Sequence, residues 1–388
     1  MTYSIEDLFD KRSVVGAKLE QLFTEKKYTK AEICRQAEIS RPTLDKILAG
    51  TSTSKTNYEK HISKLLNYLG ITPDILLGNS GNTGNLTRKI RNFLKLTIEK
   101  IAEITGISQE RLTEIEAGEK ATVAELRDIA LCLSTSTKAL TGEYFFDPQI
   151  ADMDYFVSFS ENSDVGEFSG FWGHIGILAS NTDLWLWFPV TANAKEKLYS
   201  QMQERRIVIP CMNNKVLFLN LDNIKELMLV DEACDQPSGV NWDPDISSGE
   251  IALAAYEALE DYYFQEDPEQ QKDILSPLCV SFLNELTKKY GWSDDAVSEL
   301  LHTTIIHYND GKTREVCVDF GQSENLVSEI QTTYDFCDSD LYDDILSFVD
   351  MDDFESILNM KNISLLELPF VDLENAICQS FAEINKLE

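Results

Sequence analysis

Ser40, Arg41, Pro42, Thr43, Asp45 and Lys46 share one short stretch, set between the apolar residues Leu44, Ile47 and Leu48. An arginine guanidinium is a planar fork of donors that fits the two acceptors on a guanine edge, so Arg41 can read a base through two hydrogen bonds. The hydroxyls of Ser40 and Thr43 can donate to phosphate or base. Lys30, Lys55 and Thr56 stand at the starts of flanking helical stretches, suited to phosphate oxygens. The phrase EISRPTLDKILAG at 38–50 returns as GISQERLTEIEAG at 106–118. Its solvent-side positions are now Gln109, Glu110, Arg111, Thr113, Glu114 and Glu116, followed by Glu119. Gln109, Arg111 and Thr113 keep the capacity for polar contact, whereas the carboxylates repel phosphate.

Other chemistry finds little support. His174, His302 and His307 lack an accompanying nucleophile motif, and neither Gly-x-Ser-x-Gly nor a phosphate-cradling loop occurs. Cys34, Cys132, Cys211, Cys234, Cys279, Cys317, Cys337 and Cys378 are scattered without a Cys-x-x-Cys. Zinc ligation is not indicated, and reduced, buried thiols are expected. The acidic run Asp335–Asp353 has no Gly-centred calcium loop and reads as a solvated face. Trp172, Trp185, Trp187 and Phe188 read as core, with a ligand pocket as the alternative. The sequence therefore predicts no catalytic residue, no metal and no cofactor.

The elements that hold these residues are helical at first. Val14, Leu19, Leu22 and Phe23 form one stripe at helical spacing. Thr29 and Glu32 have capping-box spacing. Ser40 precedes a helix that buries Leu44, Ile47 and Leu48 and ends at Gly50. A longer helix over 56–69 and a short one over 73–77 complete a five-helix unit. GNSGNTGN at 78–85 reads as a flexible linker spanning ~15 Å. The pattern then restarts with Ile101, Ile104, Ile107, Leu112 and Ile115 facing a core, Gly106 at the turn, Ser108 as cap and Gly118 as stop. Arg88, Lys89, Arg91 and Lys95 gather basic charge on the first helix of this second unit.

Two short helices joined by a tight turn, the second presenting its N-terminal residues, can enter a major groove about 12 Å wide. Both units resemble the lambda-repressor/Cro-like (XRE-type) helix-turn-helix family. The second carries that family's pattern at Ile101, Ala102, Gly106, Ile107, Ser108 and Gly118; the first departs from it with Cys34 and Glu38 in place of Ala and Gly. The resemblance implies DNA binding, and the change of residue types between the units points to the first reading the duplex and the second either assisting or serving as a packing or pairing module.

The remainder differs in charge. Residues 1–150 carry 21 Lys+Arg against 20 Asp+Glu, and residues 151–388 carry 13 against 46, a net of −33. That half should repel phosphate backbones. Its texture alternates between strands and helices: hairpins over 181–183 and 309–311, short helices over 192–203 and 324–331, and strand runs over 205–231 and 357–368. Asn220, Asn223 and Ile224 return as Asn359, Asn362 and Ile363, which points to a second internal duplication. Each copy weakly resembles a small Sm-like or SH3-like β-barrel, which leaves RNA binding by an Sm-like module as a minor reading.

The expected fold is multidomain α + β. A first helix-turn-helix domain spans 1–78, a linker 79–85 and a second such domain 86–148. Barrel-like domains span 150–238 and 301–388, with a helical connector at 239–300. The expected function is a sequence-specific, repressor-type transcriptional regulator whose acidic half oligomerises, senses an effector or binds a partner. The alternative is an acidic interaction or nucleic-acid-mimic protein of antitoxin type. Partners follow: double-stranded DNA, further copies of the chain, and a protein or effector at the acidic half. No apolar leader or membrane-spanning stretch is read, and a cytoplasmic location is expected.

Overall fold

The fold comes from a computed structural model, which describes residues 5–12, 15–16, 19, 23, 30–37, 39–51, 54–69, 73, 84–146, 171–232, 234–242, 251–265, 267–336 and 344–387. The chain divides into two compact units, one of residues 1–121 with 140–143, the other of 122–139 with 144–388.

The first unit opens with α1 (Ile5–Asp10), α2 (Lys30–Gln36), α3 (Arg41–Leu48) and α4 (Lys55–Leu69). Between α1 and α2, Val15, Leu19 and Phe23 are helical and four apart, so they stack on one face. They are buried with Leu8, Ile33, Ile39, Leu44, Ile47, Ile62 and Leu65. Helix α1 was not expected; Leu8 draws it into this core. Val14, Leu22, Thr29, Glu38 and residues 74–83, which hold most of the expected linker, lie outside the described residues.

A second helical series follows: α5 (Gly84–Phe93), α6 (Ile98–Thr105) and α7 (Gln109–Ala117) in the first compact unit, then α8 (Val123–Cys132) in the second, and α9 (Thr137–Thr141). Helix α5 begins inside the span expected to be linker. Gly106, at φ 73, closes α6 in the left-handed conformation that glycine adopts without steric cost. Thr122 and Glu125 form a reciprocal capping box at the start of α8.

In the acidic half, one order of elements occurs twice. The first copy is β1 (Phe171–Ala179), β2 (Trp185–Thr191), α10 (Ala192–Gln201), β3 (Arg206–Pro210), β4 (Lys215–Asn220), a 3-10 turn (Leu221–Asn223) and β5 (Ile224–Asp231). Helices α11 (Leu253–Phe264), α12 (Pro268–Ile274), α13 (Pro277–Tyr290) and α14 (Asp294–His302) intervene. The second copy is β6 (Thr303–Tyr308), β7 (Thr313–Cys317), α15 (Glu324–Phe336), β8 (Ile345–Val349), β9 (Glu355–Asn359), a 3-10 turn (Met360–Asn362) and β10 (Ile363–Pro369), before the last helix, α16 (Phe370–Leu387). Details repeat as well. Asn220 and Asn359 each start a 3-10 turn by accepting from the backbone N–H two residues on. Lys225 and Ser364 each sit at the register shift of their strand.

The strands form sheets of order β2-β1-β5, β3-β4-β10-β6-β7 and β8-β9. The five-stranded sheet takes β3 and β4 from the first copy and the rest from the second, so strand pairing crosses the boundary expected between separate barrels. The reason lies in β4. Val216, Leu217, Phe218 and Leu219 are all buried, and such a continuous apolar run needs cover on both faces and partners on both edges. One core joins the copies: Ile175, Ile177, Phe188, Leu198, Ile207, Leu217 and Leu219 pack with Leu365.

Trp185, Trp187 and Phe188 are buried, and Trp187 donates to the Asn241 carbonyl at 2.6 Å. A Cβ on Gly176 would stand 2.5 Å from the Trp187 ring, so this close approach needs glycine. Trp172 is half-buried, with the Lys195 ammonium 5.0 Å from its ring centre. The tryptophans thus serve mainly as core. Cys132, Cys211 and Cys279 are buried free thiols, whereas Cys234 and Cys317 are exposed, contrary to the expectation of burial throughout. Among the described residues no helix is long and apolar enough to cross a membrane.

Candidate nucleic-acid interface

Helix α3 begins where Ser40 accepts the Thr43 N–H at 3.4 Å, with the two hydroxyls 2.8 Å apart. Pro42 in the first turn fixes a helical φ without sacrificing a needed donor. Leu44, Ile47 and Leu48 face the core, which leaves Arg41, Pro42, Asp45 and Lys46 exposed and Thr43 half-exposed. Gly50, at φ 63, ends the helix. The far end of α3 is set by Gly16: a Cβ there would lie 2.2 Å from the Leu48 carbonyl oxygen.

Among the described residues the Arg41 guanidinium has no protein partner, while Asp45 is engaged by Lys30 at 3.0 Å. That exposed pair ties α2 to α3 and contributes little energy. Ser54 begins α4 by accepting the Asn57 N–H at 3.5 Å, which places Lys55 and Thr56 at an exposed helix N-terminus, the end that attracts anions. Lys55 lies 3.7 Å from Glu59. Burial first, then Lys60 and Lys64, hold the His61 imidazole below its ordinary pKa. The structure thus brings Lys30, Ser40, Arg41, Pro42, Thr43, Asp45, Lys46, Lys55 and Thr56 together on one helical unit with Arg41 uncommitted.

The second series keeps the geometry and changes the chemistry. Ser108 caps α7 through the Arg111 N–H at 3.1 Å, and Gly118 ends it at φ 107. Gln109 is exposed, but Thr113 donates to the Gln109 carbonyl at 2.7 Å. Arg111 is drawn back onto the protein, donating to the Lys120 carbonyl at 2.8 Å and to Glu114 at 3.4 Å. Glu116, expected on the solvent side, is instead 2 % exposed. Arg91 donates to it at 2.9 Å and Arg88 at 3.3 Å. The Glu116 hydrogen bond lifts the Arg91 guanidinium above its ordinary pKa. The basic cluster expected on α5 therefore spends two arginines on a buried carboxylate.

Sequence reasoning assigned no role to Arg127 and Asp128 of α8, both buried. Arg127 pairs with Asp261 and donates to the Ile274 carbonyl at 3.1 Å and the Glu257 carbonyl at 3.3 Å. Ser276 donates to Asp128 at 2.6 Å, and burial raises the Asp128 carboxyl above the usual range. Beyond α8, the Ala254 N–H reaches the Thr135 carbonyl and the Thr137 N–H reaches Glu257, each at 3.0 Å. An Arg-Asp pair inside the apolar run LRDIALCL was the available signal.

Residues 18–78 match the family described as the Cro/C1-type HTH DNA-binding domain, and residues 88–140 match the family described as helix-turn-helix. The chain carries two tandem helix-turn-helix units. No curated protein and no solved structure matches it. The paired units suggest a DNA-binding regulator, with a region of several β-sheets following them.

Of the histidines, His302 meets Asp372 at 2.8 Å and His307 meets Glu367 at 2.6 Å. The Asp372 carboxylate holds the His302 imidazole above its ordinary pKa. His174 sits edge-on to Phe171 and Trp242, and burial lowers it. Among the described residues no group of three His, Cys, Asp or Glu is placed to hold a metal ion.

Proposed function

We propose that the first helix-turn-helix unit reads double-stranded DNA sequence-specifically and that the protein acts as a repressor-type regulator in the cytoplasm. Helix α3 enters the major groove. Arg41 reads a guanine edge, Ser40, Thr43 and Lys46 contact bases or phosphates, and Lys30, Lys55 and Thr56 position the backbone. One observation carries the reading: the Arg41 guanidinium is exposed at the start of α3 without a protein partner among the described residues. The second unit is a packing module, because Arg111 is tied back and Glu110, Glu114 and Glu119 stand exposed where phosphates would pass. The acidic half assembles copies of the chain or binds a partner, and no catalytic step enters this role.

Selection from random duplex DNA at two salt concentrations tests it. One enriched motif is expected, bound less tightly at higher salt and weakened by Arg41→Ala. The net charge of −33 over residues 151–388 favours a second reading, an acidic module that occupies a basic protein. No enriched motif together with tight binding to a basic protein would replace the first reading with the second.

A further inference from the structure

Strands β4 and β10 join the two copies of the acidic half, with Phe218 opposite Leu366 and Leu217 opposite Glu367. Every residue of both strands is buried. Their counterparts 139 residues away are placed differently. By the repeat, β9 corresponds to β4 and β5 to β10, and among the described residues each ends its sheet. Glu355, Ile357 and Asn359 of β9 are exposed, as are Lys225 and Glu226 of β5, with Leu227, Met228 and Leu229 half-buried. Ile357 and Phe354 are each 68 % exposed and Met351 69 %, an apolar group on one hairpin. Open strand edges, one of them flanked by an exposed apolar group, offer a place for a further strand.

The backbone of β9 is turned the right way. Ser347 donates its N–H to Asn325 at 2.8 Å and Val349 donates to Ser323 at 3.0 Å, so both point away from β9. Their partners Ile357 and Glu355 therefore belong to the pairs whose N–H and C=O face outward. Val208 likewise donates away from β4, to Gln201 at 2.9 Å, and its partner Phe218 is the residue that meets β10. The junction inside the chain is also pinned by side chains. Asn220 donates to the Met360 carbonyl at 2.7 Å and Asn223 to the Ile363 carbonyl at 2.8 Å. Among the described residues the corresponding side-chain NH2 groups, on Asn359 and Asn362, have no partner.

We propose that a second copy of this chain completes both edges, with β9 of one copy adding to β5 of the next in the register that joins β4 to β10. Ile357 then faces Leu227, Ser356 faces Met228 and Leu358 faces Glu226. Asn359 and Asn362 donate to the Leu221 and Ile224 carbonyls of the neighbour. Each copy uses a different edge toward each neighbour, so the contact is head-to-tail and continues until it closes as a ring or runs on as a filament. The excess of carboxylates opposes it, so assembly strengthens with ionic strength, whereas DNA binding weakens. This builds on the reading of the acidic half as an assembly module. Its failure leaves the reading of DNA by Arg41 standing, since operator selection measures that separately.

The test uses the full chain. Sedimentation at micromolar concentrations should give masses above one chain that rise with concentration and salt. Amide exchange within 225–230 and 354–359 should slow several-fold as assembly proceeds. Ile357→Pro removes an N–H that β8 does not use, so the hairpin is retained and the edge is blocked; this variant should sediment as a single chain with unchanged circular dichroism. A wild-type chain that stays single, a proline variant that assembles like wild type, or slowed exchange at only one edge overturns the proposal. Should the proline variant fail to fold, wild-type exchange decides: slowing at both edges upholds the proposal, and slowing at neither overturns it.

Discussion

Arg91 donates to both carboxylate oxygens of Glu116, whose side chain is almost wholly withdrawn from solvent. The pair fixes α5 against α7. Removing Glu116 leaves the partly exposed Arg91 and the half-exposed Arg88 without their carboxylate, and because solvent reaches both guanidiniums the cost is about 1–3 kcal/mol. Glu116→Ala should therefore destabilise residues 84–121 by about that amount, read as faster amide exchange there, and leave operator binding by the first unit intact. Unchanged exchange would show that the arginines find other partners.

Gly16 packs so tightly against the end of α3 that a Cβ on it would lie 2.2 Å from the Leu48 carbonyl oxygen. A methyl group at Gly16 must push the end of α3 away, at about 1–3 kcal/mol by the scale of overpacked sites. Gly16→Ala should lower both the melting temperature and the affinity for the selected DNA. Full affinity in a folded Gly16→Ala variant would show that the position of α3 is less constrained than the contact implies.

The Arg127–Asp261 pair anchors α8 among the helices of the acidic half. Asp261 keeps 29 % side-chain exposure, so the loss on breaking the pair is smaller than for a fully buried one. Arg127→Met should destabilise the second compact unit by about 2–3 kcal/mol. Arg127→Met with Asp261→Leu should recover part of it, as a double-mutant cycle in urea would reveal.

Glu374 accepts the backbone N–H groups of Phe145 and Phe146, at 3.2 and 3.3 Å. Burial pushes its carboxyl up to about 7, against an ordinary value of 4.5. The folded state therefore holds this proton more tightly than the unfolded chain does. Stability from this group is full below pH 4.5 and is lost as pH rises through 7. The size is ~2–4 kcal/mol at 1.36 kcal/mol per pH unit. Glu374→Gln should flatten that part of the pH–stability curve and raise stability at pH 8; an unchanged curve would contradict the assignment.

Local signals were legible. Ser40, Ser108, Gly106 and Gly118 mark helix ends through their own backbone chemistry, and the recurring Asn-x-x-Asn-Ile marks equivalent 3-10 turns. Glu116 was misplaced because its charge suggested solvent. Its spacing of four from Leu112 put it on the buried face, where arginines on a distant helix compensate it. The pairing of β4 with β10 was not legible. A strand's apolar run states that it is buried on both sides and does not name the strand beside it. The docking of α8 was hidden for a similar reason, since Asp261 lies 134 residues away from Arg127.

The central claim is that Arg41 reads a base. Binding of full-length wild type and Arg41→Ala to the selected duplex, and to its single-base variants, tests it most directly. Arg41→Ala should lose about 1–3 kcal/mol on the selected site and lose discrimination at one guanine position while keeping it elsewhere. Equal affinity and an identical base preference in the two proteins would contradict the account.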